Sequence, residues 1–379
     1  MVNSELIFNA LSETIFKNGL DKTTLTDVAK RAGLTSGAVY ARYEGLDELC
    51  IDLWRSKVSA DLFNFIEHGR NLIIERGSSE LSTQKLDSKC VHVALQILIA
   101  SRRNPVLREG IERDLREWED KWELGVSASP TIRMRSSIAT ALVLGHSLTS
   151  FIHFDESQLK AVRNTVGDAL AFASSSDAVH EAQNMAVVAH VSDMLQCDLI
   201  NAAMEVINRS GYEMATVSRI ARLANCTTGA IYSRYESKNN LVIDAIEILI
   251  SAASRASSKL VIEGANENNL STSVARIFHT ALLKERQIFN GFRLETYLAA
   301  AWDPSIRRCV RRIRQTSNER YFSLLQPTNL FTDEIIERIA YVGQTIPIGF
   351  AALSTISEGY RTVDYLEVSK KLMQLCGAS

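Results

Sequence analysis

Apolar residues recur at helical spacing along most of the 379 residues, and no stretch alternates apolar and polar positions as a half-buried strand would. Ile7, Leu11 and Ile15 make one stripe over 4–18. Leu199, Ala203 and Ile207 make the same stripe 192 positions later. Gly19 and Gly211 follow these stripes, where a C-capping glycine belongs. Further on, the pattern predicts a long helix over 46–68 with a counterpart over 238–260. Polar loops rich in Gly, Ser and Asn occupy 69–83 and 263–272, and helices follow at 84–102 and 272–289. Asn104-Pro105 and Asp303-Pro304, now 199 apart, each read as a helix start with proline at the first helical position. Apolar helices are expected at 131–153 and 333–356, with Gly145 aligned on Gly343, and final helices near 156–173 and 363–375. Residues 174–177 read as a linker. From 178 to 208 the pattern fits one extended helix or two. The fold class is all-α.

Between the first stripe and the long helix lies the strongest feature of the chain. Residues 24–49 return at 216–241 without a gap, and 11 of the 26 positions are identical. Average composition would give roughly one or two. Two copies indicate a duplicated domain rather than a solenoid. Within each copy Thr24 (Thr216) is placed to cap a short helix carrying Leu25, Val28 and Ala29 on one face. Gly33, replaced by Asn225 in the second copy, sits where the chain must turn, and these two residue types best tolerate a left-handed backbone. Thr35 (Thr227) then caps a second short helix. Two short helices joined by a tight turn form a helix-turn-helix, and small polar residues at the start of the second let it approach base edges.

These residues resemble the TetR family of bacterial transcriptional regulators. The resemblance rests on Thr24, Val28-Ala29, Ala32-Gly33, Thr35-Ser36-Gly37, Tyr40, Tyr43 and Leu49. In the second copy it rests on Thr216, Ile220-Ala221, Ala224-Asn225, Thr227-Thr228-Gly229, Tyr232, Tyr235, Ser237-Lys238 and Leu241. Copy one has Gly45-Leu46 where the family has Ser-Lys, copy two lacks the turn glycine, and both have Tyr where Phe is usual. The resemblance implies two TetR-like units, each a three-helix head and a helical ligand-binding and dimerisation core, related by pseudo-twofold symmetry. The expected boundaries are 1–47 and 48–175 for the first head and core, 176–192 for the connection, and 193–239 and 240–379 for the second head and core. It also implies double-stranded operator DNA as partner. Thr35, Ser36, Gly37, Thr227, Thr228 and Gly229 would meet bases. Tyr40, Arg42, Tyr232 and Arg234 would hold phosphates, helped by Thr24, Thr216 and Lys238. Short side chains suit base edges, whereas Tyr and Arg suit the phosphates that fix position.

Family members usually act as homodimers through their last two long helices. Here the expectation is that 131–173 packs on 333–375 inside one chain, a monomeric pseudo-dimer reading an imperfect palindrome. A homodimer presenting four heads is the other arrangement. The function expected is a repressor released by a small-molecule effector of unassigned identity. A TetR-like fold turned into a ligand-binding or protein-interaction module with weak DNA contacts is the second reading.

Composition narrows the picture further. Net charge is −2, so DNA binding must come from local patches. The half up to Ser192 carries −4 and the remainder +2. Acidic residues crowd 109–123, and the matching helix carries Arg307, Arg308, Arg311, Arg312 and Arg314; two unrelated solvated faces are the plain reading, contact between the two helices across the pseudo-twofold axis is a second, and arginines that bind an anionic effector are a third. The six cysteines are scattered without a Cys-x-x-Cys pair, which fits reduced thiols and a cytoplasmic protein. The apolar stretch 339–356 contains Gln344, Pro347 and two glycines and reads as a buried helix rather than a membrane span. Candidate effector-pocket walls are Trp118, Trp122 and Phe151 in unit one and Phe292, Tyr297 and Trp302 in unit two, although aromatic residues at helical spacing are more often plain core. His146 and His153 alone make a poor metal site. No catalytic motif, cofactor motif or metal-ligand set stands out, and no enzyme is expected.

Overall fold

The computed structural model describes residues 2–75, 88–150, 156–178, 187–267 and 269–377. Phe151 and His153 lie outside the described residues, as do residues 179–186.

Unit one begins with α1 (Val2–Asn18), α2 (Leu25–Ala32) and α3 (Ser36–Tyr40). Ile7, Leu11 and Ile15 are fully buried with Val28, Ala29 and Val39, so the predicted stripes form the centre of the head. Thr24 and Thr35 cap as expected: their hydroxyls accept from the amides of Asp27 (3.1 Å) and Ala38 (3.2 Å). Next comes α4 (Leu46–Leu53), which passes through a wide π-helical turn over Trp54–Val58 into α5 (Ser59–Ile74). The unit ends with α6 (Ser88–Ala100), α7 (Pro105–Lys121), α8 (Pro130–Leu148) and α9 (Glu156–Phe172).

Unit two repeats this order. Its head is α10 (Met194–Ser210), α11 (Val217–Leu223) and α12 (Thr228–Tyr232). Its core is α13 (Lys238–Asn266), α14 (Leu270–Leu282), α15 (Gln287–Ala299), α16 (Pro304–Leu325), α17 (Asp333–Leu353) and α18 (Leu366–Leu375). The helix expected over 272–289 is two helices. The chain turns extended at Leu283 (φ −62°, ψ 136°), makes a single 3-10 turn over Lys284–Arg286, and restarts. It is α15, not α14, that repeats α6 at the 199 offset, so the added length of unit two lies between α13 and α15.

Asn104 and Asp303 cap α7 and α16 ahead of their prolines, each side chain accepting two backbone amides. Gly33 (φ 69°) and Asn225 (φ 52°) are both left-handed, as their place in the turn requires. Gly19 (φ 84°, ψ 153°) and Gly211 (φ 80°, ψ 163°) leave the helices in a conformation essentially open to glycine alone. Residues 175–178 do not float as a linker. Ser175 Oγ donates to the Asp364 carbonyl (2.7 Å), and the amides of Ala178 and Asp364 bond the carbonyls of Thr362 and Ser176 (both 3.0 Å). The descent to head two is non-helical from 187 until Asp193 caps α10.

The two units meet mainly through α8 and α17, with α9 beside α18. This is the intrachain pairing expected of a pseudo-dimer. The glycine register differs from the alignment on Gly343. A methyl at Gly145 would overlap the Thr345 carbonyl oxygen, and one at Gly349 would overlap that of Ala141. An offset of 204 maps Gly145 onto Gly349 and Ala141 onto Thr345, so the two contacts are equivalent, Gly349 is the counterpart of Gly145, and the two glycines let the helix backbones cross in contact. Gly343 faces Tyr321 in its own unit instead. The acidic and arginine-rich helices are not packed together: α7 lies on α4, and α16 on α13, α15 and α17. Arg312 pairs with Glu247, and Arg307 donates to the carbonyls of Ala300 and Ala301, all within unit two. Among the described residues no helix is long and apolar enough to cross a membrane; α17, which carries the apolar stretch, is buried over most of its second half.

Candidate DNA-binding heads and their coupling

Each recognition helix presents an open surface. Thr24, Thr35, Gly37, Tyr40 and Arg42 are exposed in head one, with Ser36 half-buried, and Thr216, Thr227, Thr228, Gly229, Tyr232 and Arg234 are exposed in head two. Tyr40 and Tyr232 expose 54% and 57% of their surface, far more than an aromatic ring placed for packing. Their neighbours Tyr43 and Tyr235 are buried, so one tyrosine of each pair anchors the helix and the other is left free. The Tyr235 hydroxyl donates to Asp244 (2.6 Å). No atom lies within 4 Å of a methyl built on Gly37, and only the Thr227 hydroxyl, at 3.7 Å, lies near one on Gly229. The absence of side chains there leaves room for an external partner.

The basic residues divide. The Arg42 Nη1 donates to Ser4 Oγ (3.3 Å), and Arg234 pairs with Asp193 (2.6 Å), both at the start of the first helix of their head. These contacts are exposed, and such pairs contribute little and exchange readily. Lys238 is different. Its ammonium donates to the carbonyls of Tyr212 (3.1 Å) and Glu213 (3.4 Å) and lies 4.7 Å from the Tyr212 ring centroid. Burial lowers its pKa, partly offset by Glu213. The side chain therefore ties the start of α13 to the end of α10 in this structure.

Sequence reading missed how the heads are joined. Lys22 of head one pairs with Glu213 of head two (3.0 Å). Around this bridge the units exchange side chains. The Trp302 ring of unit two lies where a Gly19 side chain would stand, and its indole N–H donates to Glu213 (3.2 Å). In the related position Arg103 and Asp21 of unit one crowd Gly211. Arg103 bonds Asp21 through Nη2 (2.8 Å) and Glu295 through Nε (2.9 Å). Burial raises the pKa of Glu295, opposed by Arg103. Gln96 stands at the position equivalent to Glu295 and holds head one by accepting from the Leu20 amide (2.8 Å) and donating to the Ile15 carbonyl (3.3 Å). The only sequence sign of this cluster was the pair of terminal glycines, which allow such close approach.

The proposed pocket walls fall into different settings. Trp118 and Trp122 join Trp54 and Phe63 in a closed ring cluster, with Phe63 stacked on Trp122 at 5.1 Å. The indoles of Trp54 and Trp122 donate to Asp114 (2.8 Å) and Glu67 (2.6 Å). The Arg70 guanidinium lies 5.3 Å from the Trp122 ring and bonds Ser136 and Thr140, so the middle of unit one is filled. In unit two Phe292 is fully buried, Trp302 belongs to the head junction, and Tyr297 lines open space. His146 Nδ1 is 2.8 Å from the Tyr341 hydroxyl, across the unit boundary. Among the described residues no cluster of three metal-ligating side chains forms.

Comparison with known families matches the description of bacterial regulatory proteins of the tetR family twice, over residues 7–53 and 199–245. These spans cover both heads and the start of the helix leaving each. No curated protein matches the chain. The two matches, on two heads of the same build, show two TetR-like units in tandem in one chain, each with a helix-turn-helix head similar to those of the tetR family.

Proposed function

We propose that this protein is a repressor that occupies an imperfect palindrome with the two heads of one chain and leaves it when an effector binds. The reading is carried by the exchange of Trp302 and Arg103 between the units beneath the heads. That exchange joins two similar but non-identical recognition surfaces, as a homodimer interface would join identical ones. Half-sites are then separated by about one helical turn or a multiple of it. Thr35, Ser36 and Gly37, with Thr227, Thr228 and Gly229, contact bases; Tyr40, Arg42, Tyr232 and Arg234, with Thr24 and Thr216, contact phosphates. Lys238 joins them only if it leaves its carbonyl partners, and head one has Leu46 at that position, so neither head gains a lysine contact there without rearrangement. The protein acts as a monomer in the cytoplasm. An effector releases DNA by binding more tightly to a form whose head separation does not fit the operator.

The mass of the complex with fragments of the protein's own promoter, at near-physiological salt, tests this reading. One chain on a site of two unequal half-sites is expected. Two chains per site would refute the claim that duplication replaces dimerisation. Failure of every promoter and genomic fragment to bind better than random DNA would favour a role as a ligand-binding or interaction module.

A further inference from the structure

Among the described residues, unit two keeps open space at the positions where the ring cluster of unit one packs together. At the 199 offset, Trp118 and Trp122 become Ser317 and Tyr321, Leu115 becomes Arg314, and Ala94 becomes Arg293. On the long helix, at the 192 offset, Leu62 becomes Ser254. The substituted side chains border a cavity of about 60 Å³ between α13, α15, α16 and α17. Three arginines line it, Arg286, Arg293 and Arg314, and no aspartate or glutamate does.

The arrangement is electrostatically incomplete. Arg314 is only 8% exposed, its Nη1 is buried without a hydrogen-bond partner, and its Nη2 reaches Thr345 Oγ1 at a long 3.4 Å. Arg293 donates from Nη2 to the Pro347 carbonyl (2.6 Å), while its Nε is buried and unpartnered. Burial pushes Arg293 down to about 10, and the charges of Arg286 and Arg314 act in the same direction. Holding three guanidinium groups together with no carboxylate among the lining residues is electrostatically unfavourable. A small anion would remove that cost and supply the acceptors that the buried N–H groups lack. Contrast Arg70 in unit one, whose two Nη groups are met by Ser136, Thr140 and the Trp122 carbonyl, leaving only its Nε without a partner, and which has the carboxylates of Glu67 and Glu123 nearby.

A second cavity, about 30 Å³, adjoins the first and shares Ile277, Tyr321 and Gly343 with it. Its walls are mostly aliphatic and aromatic: Val274 and Phe278 from α14, Leu372 and Met373 from α18, and Val162 from α9 of unit one. A polar, cationic space thus lies beside an apolar one, with Ile277, Tyr321 and Gly343 between them, and the apolar space reaches α9 and α18.

We propose that unit two alone binds an amphipathic anion. Its head, a carboxylate or a phosphate, lies between Arg293 and Arg314, and its hydrocarbon chain runs past Tyr321 and Gly343 toward α14, α18 and α9. The proposal gives the effector of the preceding section a chemical class and rests on that reading only for the consequence on DNA. The polar cavity is small, about 60 Å³, which suits a small head. Longer chains must part α14 from α18, and so press on the junction between units.

Calorimetric titration of the full chain, without DNA and in low-chloride buffer, tests the site. The probes are sodium hexanoate, octanoate and decanoate, with octyl phosphate, 1-octanol and octylamine for comparison. One octanoate per chain is expected, weakened at least tenfold by Arg314→Met or Arg293→Met, while 1-octanol and octylamine bind far more weakly. Arginine-dependent binding of octyl phosphate in place of octanoate would support the site and assign the larger head. Ser317→Trp, which copies unit one, should abolish binding and leave the circular-dichroism spectrum and operator affinity unchanged. Equal binding of octanoate and 1-octanol, full affinity in correctly folded Arg314→Met, or two equivalent sites per chain would overturn the proposal. Should octanoate bind as described yet leave operator affinity unchanged, the effector role would fail and the site would stand.

Discussion

Replacing Gly145 or Gly349 by alanine discriminates a true backbone crossing of α8 and α17 from ordinary helix packing. In an exposed helix, glycine to alanine stabilises by about 1 kcal/mol. Here each new methyl meets a carbonyl oxygen and its carbon in the other unit, Thr345 for Gly145 and Ala141 for Gly349. Backbone in the middle of two helices cannot rotate aside as a side-chain tip can, so the helices must separate. Overpacking of this kind costs about 1–3 kcal/mol, and parting a buried helix pair adds to it as contacts loosen along both helices. Overpacking therefore outweighs propensity, and each single variant should lose about 1–2 kcal/mol. The double variant should lose less than the sum, because one separation relieves both contacts. Gly37→Ala is the control, since nothing stands within 4 Å of its methyl; its stability should stay level or rise. Urea unfolding, compared at unchanged denaturant slope, reads the difference. Stabilisation of Gly145→Ala and Gly349→Ala to the same degree as Gly37→Ala would refute the crossing.

Other expectations follow from the heads and their junction. Arg42→Ala and Arg234→Ala should each weaken operator binding and reduce the slope of log affinity against log salt by about 0.9, read by fluorescence anisotropy. Lys238→Ala should instead lower the unfolding midpoint and leave that slope nearly unchanged, because its ammonium is bound to the Tyr212 and Glu213 carbonyls. Arg103→Met should cost about 3–5 kcal/mol at neutral pH by leaving Glu295 buried without its partner. Since burial already raises the Glu295 pKa, this variant should recover relative to wild type as pH falls and Glu295 becomes neutral. Burial pushes His92 down to about 4 from 6.5. The unfolded chain then binds more protons between those values, so stability is lost as pH falls through that window; His92→Gln should flatten this part of the pH–stability curve, measured by chemical unfolding.

The heads were legible in the sequence because their chemistry is local. Capping threonines, a left-handed turn at Gly33 or Asn225, and apolar stripes depend on near neighbours, and each appears where spacing put it. The α14–α15 break was not legible, since Leu283 to Arg286 contains neither glycine nor proline and the turn is set by packing. Gly145 was matched to Gly343 because both sit in apolar helices. Only the contact with Thr345, and the reciprocal contact of Gly349 with Ala141, sets the register six residues away. Lys238 was read as a phosphate ligand from its place after a serine, but charge does not say which way a long side chain folds, and two carbonyls lie within its reach. Trp118 and Trp122 looked like pocket walls for the same reason that they form a core: large rings bury area wherever they stand. Arg314 was legible as one of a row of arginines that could meet an anionic effector, but Arg293 was not, because the two come together only through the packing of α15 and α16 on α17.

Duplication changes what such a fold can encode. In a symmetric dimer every residue faces its own copy across the axis, so a pocket in one half is a pocket in both. Joining the halves in one chain lifts that constraint, and the differences are where it would be used. Gln96 and Glu295 occupy equivalent places, one satisfying backbone groups of its own head and the other holding Arg103 across the boundary. Arg103 and Trp302 likewise differ while filling related spaces over Gly211 and Gly19. The core of unit one, with its four packed rings and its hydrogen-bonded Arg70 Nη groups, then serves as a rigid support, and the cavity of unit two is the part able to respond. One ligand can bias both heads only if its free energy of binding differs between two arrangements of the shared interface. The interface offers such a route: α17 carries both Pro347, bonded to Arg293 at the cavity, and Gly349, in contact with Ala141 of unit one, two residues apart on the same helix. A ligand that draws Arg293 away from the Pro347 carbonyl therefore acts one half-turn from the closest backbone contact between the units.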